Sequence, residues 1–355
     1  MPRAQPPPAK EVLTMAYHLQ MPPTSGPLHL RKEARRELGE AIERMSRDTG
    51  YKFGPRGWAY YAEGLGLITK GEFDRFEKLL ADMRKEGDLD PDVIEPDASR
   101  MATEVEDFDA SPNTPEQMAQ YAVNEISERL REWAGIFHTR GYWDDLEYYV
   151  EMIVEKKDLV QIFRSIADEY NIRITNGKGD TDIHTRLALL KRFRDRSEAG
   201  RRCILLAIGD HDPKGLHIVE GLHRTIMSCC NIKGLDWDYP DFEVVNIGLT
   251  ETQIDDLGLM KIGNLETGGG RDLSDPRHPD HNKPYVQDYL AQFGVWKCEA
   301  NALVGNPRGA KDLLESAINR FIPASHPGDV EQENEPGQEE VRQEIARLVQ
   351  GWTFE

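Results

Sequence analysis

The chain has 355 residues, 39% of them hydrophobic, with a formal net charge of -19 and a pI near 5.0. That length and apolar fraction allow two domains with real cores and exclude a wholly disordered chain, and no apolar run approaches the roughly 18 residues of a membrane span. The acidic total argues against a general nucleic-acid coat protein, because phosphate contacts need Lys and Arg; base is nevertheless concentrated over 31–47 and 186–202, and acid over 88–109 and 329–344.

Residues 1–27 are rich in Pro and lack the apolar centre of a signal peptide, which predicts a flexible leader and a cytoplasmic protein. Over 28–48, Leu30, Ala34, Leu38, Ile42 and Met45 recur at helical spacing, with Arg31, Lys32, Arg35, Arg36, Arg44 and Arg47 on the other face. Gly50 and Gly54-Pro55 signal turns, and Arg56-Gly57-Trp58-Ala59-Tyr60-Tyr61-Ala62 follows. Thr69 is placed to cap a helix carrying Phe73, Phe76, Leu79, Leu80 and Met83 and ending at Gly87. Short helices joined by tight turns over 28–100 predict a helix-turn-helix or winged-helix-like DNA-binding module.

Residues 88–118 are dominated by Asp, Glu, Pro and Ser. They predict an acidic linker, and 101–142 is expected to join it to a helix from Pro115 to about Phe137. Then the period changes. Strands are expected at 147–155, 172–175, 203–209 and 242–247, alternating with helices at 158–170, 181–196 and 216–227. That alternation predicts an α/β domain over 143–323 with a mainly parallel sheet, in a multi-domain α+β chain. His278, Asp280 and His281 read as solvated residues of a polar loop over 263–285, and 303–321 returns to helix. Residues 324–355 are expected to be an acidic tail with a short terminal helix at 340–348. The cysteines, Cys203, Cys229, Cys230 and Cys298, lack zinc-ligand spacing and are expected to be reduced and mostly buried.

The residues that carry chemistry cluster at strand ends. Leu205-Leu206-Ala207-Ile208 runs into Gly209-Asp210-His211-Asp212-Pro213-Lys214-Gly215. Alternate residues of a strand share a side, so Asp210 and Asp212 are expected to hold one divalent cation at the carboxyl edge of the sheet, where open α/β sheets bind ligands. Mg²⁺ prefers oxygen ligands and keeps several waters, so a third carboxylate from a neighbouring strand would complete a site. Glu155, at the end of the Tyr148-to-Val154 run, is the candidate, with mid-strand Glu151 as competitor on a solvated face. The turn Gly177-Lys178-Gly179 offers backbone N–H groups and Lys178 to a phosphate, and Lys214 is a second candidate phosphate ligand.

Glu155 after an apolar strand, Gly177-Lys178-Gly179, and Asp210-His211-Asp212-Pro213-Lys214-Gly215 together resemble a Toprim domain. The Asp-x-Asp-Pro-x-Gly form resembles that of the topoisomerase VI A subunit and the meiotic double-strand-break transesterases. Phe242 to Leu249 and Lys297-Cys298-Glu299-Ala300-Asn301-Ala302-Leu303 are similar to later segments of this group. The resemblance covers roughly 146–321, and more loosely 53–100. It implies a type IIB topoisomerase-like enzyme with a Rossmann-like Toprim domain behind the winged-helix-like module. It also implies DNA cleavage by a tyrosine, an Arg one helical turn before that tyrosine, and a 5'-phosphotyrosyl link that permits religation. Arg56 and Tyr60 match that pattern, with Tyr61 as rival, although Gly57-Trp58-Ala59 between them departs from the family's usual residues.

In this reading Mg²⁺ held by Glu155, Asp210 and Asp212 assists attack on double-stranded DNA, and Arg56 binds the phosphate or lowers the phenol's pKa. The resemblance implies a homodimer. The chain has no Gly-x-x-x-x-Gly-Lys-Ser/Thr phosphate loop, so strand passage would need an ATPase partner of the topoisomerase B-subunit type. A DNA-bound, nucleoid-associated location in the cytoplasm follows. The alternatives are a Toprim nuclease that hydrolyses DNA with metal-activated water, and a catalytically silent DNA-binding subunit.

Overall fold

A computed structural model describes residues 21–23, 25, 27–96, 114–177, 183–230, 232, 235, 237, 240–267 and 271–349. Most of the expected leader, residues 97–113 of the expected linker, and Lys178 with its turn lie outside the described residues. The chain divides into two compact units, Met1–Asp97 with Tyr148–Phe321, and Ala98–Glu147 with Ile322–Glu355.

The first unit begins with helices α1 (Leu28–Thr49), α2 (Pro55–Gly64) and α3 (Phe73–Glu86). α1 buries Leu38, Ala41, Ile42 and Met45 along one stripe and stops at Gly50, whose φ of 71° favours a residue without a Cβ. α2 starts on Pro55, whose fixed φ and missing N–H cost nothing in a first turn. Thr69 forms a capping box with Glu72 over a single 3-10 turn, Lys70–Glu72, that leads into α3. α3 then ends at Gly87, as its sequence predicts. No strand lies among residues 27–96, so the wing of a winged helix is missing from this stretch. Residues 88–96 instead fold into a 3-10 turn at Pro91–Val93, where Pro91 and Pro96 withhold backbone donors from any ladder. Leu89, Val93 and Ile94 are buried there, so the start of the expected linker belongs to the core.

The second unit contains α4 (Pro115–Gly135). Its expected apolar positions Met118, Tyr121, Ile126 and Trp133 are exposed, and Ala134 is its buried residue.

The sheet belongs to the first unit. In chain order it comprises β1 (Tyr148–Val154), α5 (Lys157–Glu169), β2 (Arg173–Asn176), α6 (Ile183–Glu198), β3 (Arg202–Ile208), α7 (Pro213–Met227) and β4 (Phe242–Gly248). The strands lie in the order β2-β1-β3-β4 and every pairing is parallel. Val150, Met152 and Val154 of β1 and Ile204, Leu205 and Leu206 of β3 are essentially inaccessible, as expected of parallel strands covered on both faces. Each such side chain contributes about 1.5–3 kcal/mol relative to exposure. The chain leaves β1 toward β2 on one side and enters β3 on the other, so the β1/β3 boundary is a switch point where α/β sheets place ligands.

Beyond β4 come α8 (Glu251–Asp256), the two-residue strands β5 (Glu266–Thr267) and β6 (Arg271–Asp272), α9 (Pro284–Phe293), a 3-10 helix at Ala300–Gly305 and α10 (Pro307–Ile318). In the second unit the expected acidic tail is a helix, α11 (His326–Val349), with Pro336 inside it. Its acidic residues mask a stripe of tertiary partners. Asn334 accepts hydrogen bonds from the Thr139 and Arg140 backbone N–H groups at 2.7 and 3.0 Å, and His326 bonds the Tyr142 carbonyl at 2.7 Å. A Cβ on Gly337 would come within 2.8 Å of the Phe137 ring. Such packing outweighs the hydrogen bond that a helical proline removes.

Candidate active site at the carboxyl edge of the sheet

Val154 and Ile208 are register partners at the ends of β1 and β3. The chain therefore delivers Glu155 and Gly209-Asp210 to one edge, side by side. Lys156 fills the space between them, with its ammonium 3.0 Å from Glu155 Oε1 and 3.1 Å from Asp210 Oδ2. Burial disfavours that ammonium, but the charges of Asp210 and Glu155 outweigh burial and hold its pKa above the usual lysine value. The other oxygen of Asp210 accepts the Ala300 N–H at 2.8 Å. Burial still raises the Asp210 pKa, against Lys156 and Ala300 and with help from Asp212 and Glu155.

Asp212 lies beyond the strand, so strand alternation is not what places it beside Asp210. The strand ends at Ile208, and alternation of side chains ends with it. Asp212 is the N-cap of α7, its carboxylate accepting the Gly215 N–H at 2.6 Å. Pro213 is the first residue of that helix and Gly215 lies in its first turn, so the helix expected from 216 begins three residues earlier. A Cβ on Gly215 would stand 2.2 Å from the Asp210 carbonyl oxygen, so the tight return of the loop requires glycine. His211, between the carboxylates, is buried and stacked on Trp296 at 4.8 Å. Lys214 is exposed in the first turn of α7.

Oxygen donors suit magnesium, and Glu155 and Asp210 already converge on one positive charge, that of Lys156. Among the described residues, however, no group of three or more His, Cys, Asp or Glu side chains is gathered to hold a metal. The same is true of the loop residues: Asp280 pairs with Lys283 at 2.8 Å and His281 Nδ1 bonds the Leu273 carbonyl.

Glu151 is not solvated. It is fully buried in β1, held by Arg192 through two hydrogen bonds of 2.6 and 2.7 Å and by the Tyr149 hydroxyl at 2.8 Å. That satisfied pair leaves Glu155 as the carboxylate at the edge.

The helical module enters the site through α2. His211 and Cys298 exchange backbone hydrogen bonds of 2.8 and 3.0 Å, which pins the segment ending in Glu299-Ala300 to the Asp210–Asp212 loop. α2 packs on the following 3-10 helix with almost no separation: a Cβ on Gly64 would lie 2.0 Å from Gly305 Cα. The Tyr60 hydroxyl thereby reaches Glu299 and donates a short hydrogen bond to its Oε2. Lys70 holds the other carboxylate oxygen at 2.6 Å. Burial, then the charge of Glu299 and the bond to it, raise the Tyr60 pKa, against Arg56 and with a smaller push from Asp210. Burial would raise Glu299 as well, but its bonds to Lys70 and Tyr60 keep it below the usual carboxylate range.

Tyr61 points elsewhere. Its ring lies 6.0 Å from Phe53 and 5.7 Å from Trp58, in the aromatic core of the module. Arg56 pairs with Glu77 at 2.9 Å and Asp74 at 3.5 Å, above the Phe73 ring. Its influence does lower the Tyr60 pKa, as expected, but burial and Glu299 outweigh it. Gly57 has a structural cause: a Cβ there would stand 2.7 Å from Asp158 Oδ1 and 2.8 Å from Phe53 Cβ. All four cysteines are free thiols, three of them buried. Among the described residues no helix is long and apolar enough to cross a membrane.

Lys156, Lys70 and Glu299 carried no assigned role in the sequence. Lys156 had a signal, adjacency to Glu155; Glu299 lay in a segment matched only by resemblance, and nothing local marked Lys70.

No protein-family model and no curated protein matches the chain.

Proposed function

We propose that the protein is a DNA-cleaving transesterase of the type IIB topoisomerase A-subunit kind, with a Toprim-like sheet domain and a helical DNA-binding module that has no wing among the described residues. The observation that carries this reading is that two adjacent residues tie the Tyr60 hydroxyl and the sheet edge to one segment: Glu299 accepts the Tyr60 hydroxyl and the Ala300 N–H donates to Asp210. A tyrosine, a carboxylate edge and neighbouring cations are the parts that phosphoryl transfer to a phenol requires.

In this mechanism Tyr60 is the nucleophile and a DNA phosphodiester the substrate. Mg²⁺, held by Glu155, Asp210 and Asp212 when bound, would neutralise charge on the phosphate. Lys156 holds Glu155 and Asp210 together and would give up their oxygens to the cation. Lys214, exposed beside the edge, meets the phosphate backbone. Arg56 moderates the phenol's pKa from one helical turn away. The product carries a 5'-phosphotyrosyl link, whose bond energy permits religation. Double-stranded DNA, a second copy of the chain and an ATPase partner complete the activity proposed.

A water-using nuclease is the second reading. It is favoured by one observation: Tyr60 is only 5% exposed, with its hydroxyl already engaged, whereas water can reach a carboxylate edge without any such contact. Tyr60→Phe, Tyr61→Phe and Asp210→Ala separate the two on supercoiled plasmid with Mg²⁺. The transesterase predicts that cleavage is lost in Tyr60→Phe and Asp210→Ala and kept in Tyr61→Phe. Cleavage that survives Tyr60→Phe but not Asp210→Ala identifies the nuclease.

A further inference from the structure

The sequence assigns no base to the candidate nucleophile, and a phenol needs one. With a pKa near 10, an ordinary tyrosine is about 0.1% ionised at neutral pH. The surroundings of Tyr60 suppress the phenolate further, because burial and a neighbouring carboxylate both oppose a second negative charge. The proton therefore needs an acceptor as the new bond forms.

One group is placed to take it. Glu299 Oε2 accepts the Tyr60 hydroxyl directly. Glu299 Oε1 lies 2.6 Å from the Lys70 ammonium, and the carboxylate side chain is 26% exposed. With each oxygen committed to a different partner, the carboxylate has no freedom to rotate away. The Tyr60 ring is fixed in turn, edge-on to Phe73 with centroids 4.9 Å apart and with Lys70 5.6 Å from its centroid. Nucleophile, base and orienting group in hydrogen-bonded series is the arrangement that activates weak nucleophiles in general.

We propose that Glu299 is the general base that removes the Tyr60 proton, with Lys70 as the residue that positions it. The proposal rests on the reading of Tyr60 as nucleophile. In the step, the Tyr60 Oη–H bond breaks and its proton passes to Glu299 Oε2 while Oη bonds to phosphorus. The P–O3' bond breaks with its electron pair on O3', which takes a proton from solvent to become the 3'-hydroxyl. Glu299 returns its proton to solvent, so atoms and charge balance. Religation is the reverse, with Glu299 giving the proton back to the phenol.

The test is Glu299→Gln in the full chain, which keeps an oxygen acceptor for Tyr60 but no basic carboxylate. Single-turnover formation of covalent protein–DNA adduct is measured with Mg²⁺, beside DNA affinity. The rate is expected to fall on the order of 100-fold or more with affinity unchanged, and Glu299→Asp is expected to fall between the two. A fluorinated tyrosine at position 60, whose more acidic phenol needs less help, is expected to speed Glu299→Gln more than it speeds the wild type. That selective rescue also shows that the variant folds. An adduct rate in Glu299→Gln equal to wild type, or an equal effect of fluorination on both, overturns the proposal. Cleavage by wild type without any adduct is a different result: it overturns the tyrosine reading itself, and Glu299's role with it.

Discussion

The Lys156 ammonium lies 3.1 Å from Asp210 Oδ2, at the point where the ends of β1 and β3 converge. The positive charge that the two edge carboxylates require is supplied by the residue after Glu155, which bonds Glu155 at 3.0 Å as well. A divalent cation and this side chain compete for the same oxygens.

Lys156→Met is therefore expected to leave Asp210 and Glu155 uncompensated. Stability should fall by about 1–3 kcal/mol without divalent cation, the cost of leaving a partly buried charge unpaired. It should recover with MgCl₂, because a ligand that binds only the folded state stabilises it. Denaturant unfolding with and without MgCl₂ measures this, and an Mg²⁺ response no larger than wild type's contradicts it.

Gly64 and Gly305 set how closely α2 approaches the 3-10 helix behind Glu299. Gly64→Ala places a methyl 2.0 Å from Gly305 Cα and 2.5 Å from its carbonyl oxygen. Neither is the flexible end of a side chain, so the backbones must part. A loss of about 1–3 kcal/mol or more is expected in denaturant unfolding, together with weakening of the Tyr60–Glu299 bond. An unchanged unfolding midpoint contradicts this account of the junction.

Much of the sheet was legible because β1 and β3 are nearly continuous apolar runs, and a carboxylate at the end of such a run can be located by counting. What local pattern could not show was partnership. Glu151 looked like a solvated strand residue because Arg192, which neutralises it in the interior, lies on α6. Asp212 looked like the twin of Asp210 because alternation was carried past Ile208, where the strand stops. Glu299 and Lys70 meet Tyr60 only through tertiary packing and had no local signature. The acidic tail hid a helix because its buried stripe, Val330, Asn334 and Gly337, is short and contains little that is apolar.

Asp158 gives the fold a dependence on pH. It is buried beside α2, where the Gly54 N–H bonds it; burial pushes its pKa up to about 6, against Lys157 and with Glu95. A carboxyl raised in the folded state favours folding while protonated. Its contribution is full below the unfolded value near 3.9 and is lost as pH rises through about 6. Asp158→Asn stays neutral, so it is expected to gain on wild type by up to about 3 kcal/mol between about pH 4 and pH 7. Unfolding curves across that range measure the difference. A gap that stays constant with pH contradicts the assignment.

In the proposed reaction Tyr60 becomes covalently linked to DNA. Full-length protein is incubated with plasmid DNA and Mg²⁺, denatured and digested with protease and nuclease, and its peptides are analysed by mass spectrometry. A nucleotide joined through its 5'-phosphate to the peptide containing Tyr60 is expected, on Tyr60 and not on Tyr61. Cleaved DNA with free 5'-phosphate ends and no modified peptide would contradict it.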